Sequence, residues 1–180
     1  MKALEAIKYG SKILKEYKVP SHILDSEILL SKSLNKFREE LLINLQQNLN
    51  ENEISVFQEY LIRRSKKEPI AYILKEKEFW SKKFFVSKDT LIPRPETELL
   101  VDSLTKIYKD KKVSILDIGT GTGCIILSLL MDLRYSTGIG VDFSKKAILI
   151  AKKNAEMHEL SRRVKFLNKP FQHMFEKKFD

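Results

Sequence analysis

Apolar positions recur at helical spacing through the first third of the chain and change to strand-like runs only beyond it. Leu4, Ile7, Ile13 and Leu14 give a first helix an apolar stripe, and Pro20-Ser21 interrupts it. Ile23, Leu24, Ile28, Leu29, Leu30 and Leu34 repeat the pattern in a second helix, and Arg38 to Leu45 reads as a short third. Asn50 followed by Glu53 predicts a capping box for a fourth helix carrying Ile54, Phe57, Tyr60 and Leu61. Residues 1–68 are thus expected to form a small helical bundle.

The pattern changes at residues 69–93. Ile70 to Leu74 and Glu78-Phe79-Trp80 lead through Ser81-Lys82-Lys83 to Phe84-Phe85-Val86. Aromatic and β-branched residues around a short polar turn predict a hairpin linking two domains. In residues 94–180, Pro95 fits a first helical position, and Glu96 and Glu98 suit the first turn of a helix. Leu99, Leu100, Leu104, Ile107 and Tyr108 are expected to face a core. From Val113 onward strand and helix alternate: Val113–Ile118, Cys124–Leu133, Thr137–Val141, Lys145–Glu159 and Val164–Leu167. That alternation predicts an α/β fold with the first half of a doubly wound, Rossmann-like parallel sheet.

Candidate chemistry concentrates at the first of these strands. Ile115-Leu116-Asp117-Ile118 runs directly into Gly119-Thr120-Gly121-Thr122-Gly123. Strand, glycine turn and helix form a nucleotide-binding crossover unit, in which glycine lets the backbone approach a ligand that a Cβ would repel. A second acid, Asp142, closes the next strand and can accept both ribose hydroxyls of an adenosine. A pyrophosphate-binding turn would have the spacing G-x-G-x-x-G. Here it is G-x-G-x-G with Asp117 just before it, and a carboxylate there repels a pyrophosphate. It suits a ligand bearing an ammonium and a sulfonium, which is S-adenosylmethionine.

Composition narrows the classes. The chain has 180 residues, 43% of them hydrophobic, which is enough for a packed core. The net charge of +9 is spread without a polybasic block, so charge gives no argument for nucleic acid. Cys124 is the sole cysteine, which excludes an internal disulfide and fits a reducing, cytoplasmic setting. At the start of an apolar helix it reads as a small core residue. The three histidines and Cys124 lack metal-ligand spacing, so no metal is expected. No apolar run approaches the roughly 20 residues of a membrane span.

Several segments carry a resemblance. Asp25-Ser26-Glu27-Ile28-Leu29-Leu30, Arg63-Arg64 with Glu68-Pro69-Ile70-Ala71-Tyr72, and Glu78-Phe79-Trp80 are similar to successive motifs of one family. Leu91-Ile92-Pro93-Arg94-Pro95-Glu96-Thr97-Glu98 matches that family's L-I-P-R-P-E-T-E almost letter for letter. The family is that of the bacterial-type release-factor glutamine methyltransferases (HemK/PrmC), and the likeness runs from about residue 20 onward. It implies a helical domain that docks the protein substrate and a class I methyltransferase domain that holds S-adenosylmethionine. The implied reaction methylates the glutamine side-chain amide in the Gly-Gly-Gln loop of class I peptide chain release factors. Asp117 and the turn Gly119, Thr120, Gly121, Thr122 and Gly123 would cradle the methionine part of the donor. Asp142 would hold the ribose, and Phe171 would stack beside the adenine. Arg94 and Glu96 would lie on the substrate side. Lys75 stands where the family commonly has glycine.

One motif is absent. The family orients the amide with Asn-Pro-Pro-Tyr, and no Asn-Pro pair occurs in this sequence. No catalytic residue is therefore assigned. The expectation is an inactive fragment or split product, with the strand Val113–Ile118 left as an edge that invites self-association. Two other readings stand beside the enzyme: a non-catalytic binding remnant, and an amino-methyltransferase acting on a ribosomal protein or nucleic acid.

Overall fold

The computed structural model describes residues 1–170 and 179. It divides into two compact units, Met1–Leu74 and Lys75–Asp180.

The first unit is helical: α1 (Ala3–Glu16), α2 (His22–Ser33), α3 (Arg38–Ile43), α4 (Glu51–Ser65) and α5 (Ile70–Leu74). Ala3, Ala6, Ile7 and Leu14 of α1 meet Leu29 and Leu30 of α2, Leu41 of α3 and Phe57 and Leu61 of α4 in one core. Gly10 lets α1 come close, since a Cβ there would lie 2.5 Å from Ser26 Oγ and 2.7 Å from Phe57 Cζ. The predicted capping box forms: Glu53 N–H donates to Asn50 Oδ1 and Asn50 N–H to Glu53 Oε2, both at 2.8 Å. On α2, Ile23 and Leu24 are exposed, and Asp25 and Ser26 are buried in their place.

The motif charges of this unit are engaged with one another. Arg64 Nε lies 2.7 Å from Asp25 Oδ2, in a pair with side-chain exposures of 17% and 7%. Arg38 binds Glu27, and Arg63 grips both carboxylate oxygens of Glu68. The guanidinium of Arg63 also donates to the carbonyls of Tyr72 and Ile73.

That last contact explains a correction. Ile70 to Leu74 was expected to open the hairpin, but it is a helix with Ile73 buried in the helical core. Tertiary burial and the Arg63 bonds outweigh the strand preference of Ile and Tyr. The hairpin is shorter, β1 (Glu76–Phe79) paired antiparallel with β2 (Lys82–Phe85). Its turn is Trp80-Ser81, rather than Ser81 to Lys83, with both residues at positive φ, 53° and 54°. A two-residue turn of that hand matches the twist of a hairpin. Trp80 is held in this unusual conformation by its N–H donating to Glu98 and its indole donating to Asp132. The hairpin is also more than a linker, because Phe79 and Phe84 lie in the core of the second unit.

That unit continues through a 3₁₀ turn (Pro95–Thr97), α6 (Glu98–Tyr108), β3 (Ser114–Ile118), α7 (Cys124–Asp132), β4 (Thr137–Asp142), α8 (Lys145–Met157) and β5 (Val164–Asn168). The three strands run parallel in the order β3-β4-β5, so β3 is an edge among the described residues. The core gathers Val101 of α6, Ile126, Leu127 and Leu130 of α7, Ile148 and Ala151 of α8 and Phe166 of β5. The expected inward face of α6 needs correction. Val101 is fully buried and Leu104 packs on the core, whereas Leu99, Leu100 and Ile107 are exposed. The buried stripe is narrower than the apolar one, because Val101 and Leu104 are the apolar residues of α6 that the core covers. Among the described residues no helix is long and apolar enough to cross a membrane.

Candidate functional site

Parallel pairing places the carboxyl ends of β3 and β4 side by side, with Asp117 opposite Gly140 and Ile118 opposite Val141. Residues following β3 must turn back over this end to start α7. Gly119, Gly121 and Gly123 make that turn at φ values of 73°, 54° and 77°, a region that side chains with a Cβ avoid. Main-chain bonds fix it: Gly119 and Thr120 N–H donate to the carbonyl of Val141, and Gly123 N–H donates to the carbonyl of Thr120 at 2.8 Å. A Cβ on Gly119 would meet nothing within 4 Å, so this glycine faces open space.

Asp142 closes the turn from the β4 side. Its Oδ2 accepts from Gly121 N–H at 3.0 Å and its Oδ1 from Ser144 N–H at 2.8 Å. Each oxygen keeps a further lone pair for a ligand. Asp117 lies deeper. Some of its surface remains accessible, yet desolvation pushes its carboxyl above the ordinary aspartate range. The Thr120 hydroxyl, donating at 2.7 Å, and the Ile126 backbone pull the other way, and the Asp142 charge adds to the rise. A cation near this pair would relieve both carboxylates.

A cavity of about 280 Å³ opens beside the turn, lined by Ile118, Gly119, Val141, Asp142, Phe143, Lys169 and Pro170. The sequence-predicted residues divide around it. Gly119 and Asp142 line it, and Thr120 and Gly121 brace it. Thr122 is turned inward and buried, with its hydroxyl accepting from Cys124 N–H. Gly123 is packed, since a Cβ there would lie 3.2 Å from Leu127 and Phe166. Phe171, expected beside an adenine, lies outside the described residues. Arg94 and Glu96 are exposed around the 3₁₀ turn and do not line the cavity. Cys124 is buried, and burial pushes its thiol up to about 11, so it is protonated and inert at neutral pH.

Sequence reasoning missed three residues. Phe143, 87% exposed, stands at the cavity directly after Asp142. An aromatic immediately after the acid at a strand end was the available signal. Asn168 donates to the carbonyls of Asp142 and Phe143 at 3.0 and 2.8 Å, holding the end of β4 against β5. Asn154 is wholly buried in α8 and bonds the carbonyl of Thr122. A lone asparagine on the apolar face of a helix was its only trace.

Comparison with known proteins agrees with this division. Residues 5–74 match the family model described as PrmC N-terminal domain, and residues 109–180 match one described as a methyltransferase domain. A release factor glutamine methyltransferase of Coxiella burnetii is 44% identical over 138 residues, 76% of this chain and 50% of its own length. One of Leptospira interrogans is 40% identical over 84% of this chain and 54% of its own length. A bifunctional methyltransferase of Rickettsia conorii is 38% identical over 90% of this chain and 36% of its own length. The chain thus spans between about a third and a half of the curated relatives it matches. Among solved structures, an Agrobacterium tumefaciens SAM-dependent methyltransferase aligns with a TM-score of 0.48 at 20% identity, over 56% of this chain and 34% of its own. A match to the PrmC N-terminal domain thus precedes a match to a methyltransferase domain in this chain, which is 40–44% identical to relatives named release factor glutamine methyltransferase.

Proposed function

We propose that this chain binds S-adenosylmethionine at the glycine turn and serves methylation of a glutamine side-chain amide, that of the Gly-Gly-Gln loop in class I peptide release factors. One observation carries the donor reading. Two carboxylates, at the ends of adjacent parallel strands, flank a left-handed glycine turn whose first glycine faces open space. The names borne by the Leptospira and Coxiella relatives support the substrate.

Each residue then has a role. Asp142 accepts the ribose hydroxyls with the lone pairs that Gly121 and Ser144 leave free. Asp117 supplies the counter-charge for the ammonium of the donor, and that cation would draw its raised pKa down. Gly119 admits the ligand where any Cβ would intrude. Phe143 offers an aromatic face at the cavity wall. The donor, when bound, presents an electrophilic methyl on its sulfonium. Arg94 and Glu96 lie on the substrate side, and the helical unit docks the release factor.

A second reading, binding without catalysis, is favoured by one observation. An amide nitrogen is a poor nucleophile until it is oriented, and the Asn-Pro-Pro-Tyr that the resemblance assigns to that task is absent from the sequence. Two measurements separate these readings. Calorimetry should show S-adenosylhomocysteine binding in preference to NAD, weakened by roughly tenfold or more in Asp142→Ala. Equal binding by wild type and variant overturns the assignment of Asp142. Labelled donor incubated with unmodified release factor should leave the glutamine unlabelled with these 180 residues alone. Incorporation at that glutamine would establish catalysis and remove the second reading.

A further inference from the structure

We propose that Asn154 is a positioning residue whose buried amide ties the donor-facing glycine turn to the hairpin strand leading into the Leu91–Glu98 segment. The inference rests on the donor reading above for its ligand side and on geometry alone for its structural side.

Asn154 is wholly buried in α8, beside the apolar Ala151 and Ala155. An amide so placed is costly unless its polar atoms are bonded. Here they are. Nδ2 donates to the carbonyl of Thr122 at 2.8 Å and to the carbonyl of Phe85 at 3.0 Å, and Oδ1 accepts from Phe85 N–H at 2.7 Å. Both bonding groups of Phe85 are taken, as a neighbouring strand would take them.

The bond to Thr122 acts on one peptide group. The carbonyl of Thr122 and the N–H of Gly123 belong to the same plane. Asn154 holds its oxygen, and the carbonyl of Thr120 receives its N–H at 2.8 Å. Clamped at both ends, that plane cannot flip, and Gly123 stays left-handed at φ 77°. Released, the plane could rotate and carry Gly121 away from Asp142.

The other two bonds act on the substrate side. Phe85 ends β2, and the chain from it runs through Asp89 to Arg94. The same helix holds this stretch twice more: Lys153 Nζ lies 3.5 Å above the Phe85 ring, and Lys146 pairs with Asp89 at 3.3 Å. Among the described residues, Asn154 is a side chain that hydrogen-bonds both the hairpin and the glycine turn. A donor that orders the turn is therefore expected to order the hairpin strand through this one side chain.

The test uses the full chain, S-adenosylhomocysteine as probe, calorimetry and backbone amide NMR. Asn154→Ala should bind about tenfold more weakly at a temperature where circular dichroism shows it folded, with the Gly121 and Gly123 resonances displaced before ligand is added. His158→Ala is the control. His158 bonds the Lys83 carbonyl and packs on Phe84 but does not touch the turn. It should lower the melting temperature and leave affinity unchanged. In wild type, ligand should slow hydrogen exchange at Phe85 N–H, a readout that survives if the variant fails to fold. Unmoved Gly123 resonances in Asn154→Ala, affinity equal to that of His158→Ala, or a Phe85 amide indifferent to ligand each overturns the inference. A wild type that binds no S-adenosylhomocysteine overturns the donor reading instead, and the Gly123 resonances still decide the clamp.

Discussion

The two units use the charged residues of their motifs in opposite ways. In the helical unit Asp25, Glu27, Arg38, Arg63, Arg64 and Glu68 are bonded to one another or to nearby carbonyls. In the second unit the donors to Asp117 and Asp142 are hydroxyl and main-chain groups, and among the described residues neither carboxylate forms an ion pair. Both sets stand within motifs that drew the eye in the sequence. The contrast separates motifs that build a scaffold from motifs that we propose receive a ligand: the first are electrically closed, and the second leave two carboxylates without an ion pair among the described residues.

The largest test breaks the closed network. Arg64→Ala leaves the buried Asp25 without its partner and should destabilise the helical unit by about 3 kcal/mol, read from the urea midpoint of the far-UV signal. A shift no larger than that of an exposed arginine would show that the network is decorative. The opposite test neutralises the open site. Asp117→Asn removes a carboxyl whose ionisation burial opposes, so melting temperature should rise while affinity for S-adenosylhomocysteine falls. A variant that is both less stable and equally tight-binding would put Asp117 with the scaffold.

A smaller effect is expected at Lys75, whose φ of 57° falls where the family commonly has glycine. Lys75→Gly relieves that strain and should stabilise by about 0.5–1 kcal/mol, after the entropy cost of glycine is deducted. No change would mean that the backbone there relaxes freely. The smallest concerns acid. Burial holds His158 below the ordinary histidine range, against the pull of the Lys83 carbonyl, with Lys82 adding to the depression. The unfolded chain therefore binds the proton first. Stability from the neutral ring is present above about pH 6.5 and is lost as pH falls toward the folded value. Melting temperature should fall more steeply below that pH in wild type than in His158→Gln. Parallel curves would show that the ring contributes nothing.

Much of this is legible in the sequence. The capping box, the left-handed glycine turn and the acid-ended strands follow from local rules of backbone freedom and hydrogen bonding, and those rules act over a few residues. The hairpin boundary did not follow, because Ile70 to Leu74 suit a strand by type and a helix only by what covers Ile73. Nor did the inward face of α6, since Leu99 and Leu100 are as apolar as Leu104 and differ only in what lies opposite.

By itself the sequence determined the order of most helices and strands, the turn that three alternating glycines permit, and the two acids that close adjacent strands. Periodicity, φ preference and charge are properties of neighbouring residues, and they survive without a fold. Tertiary structure alone decided that the motif charges of the helical unit neutralise one another, and that Phe143 and Asn168 shape the cavity. It also decided that Asn154 spans 32 residues to Thr122 and 69 to Phe85. Those are meetings between distant segments, and which distant groups meet is set by packing rather than by any pattern along the chain.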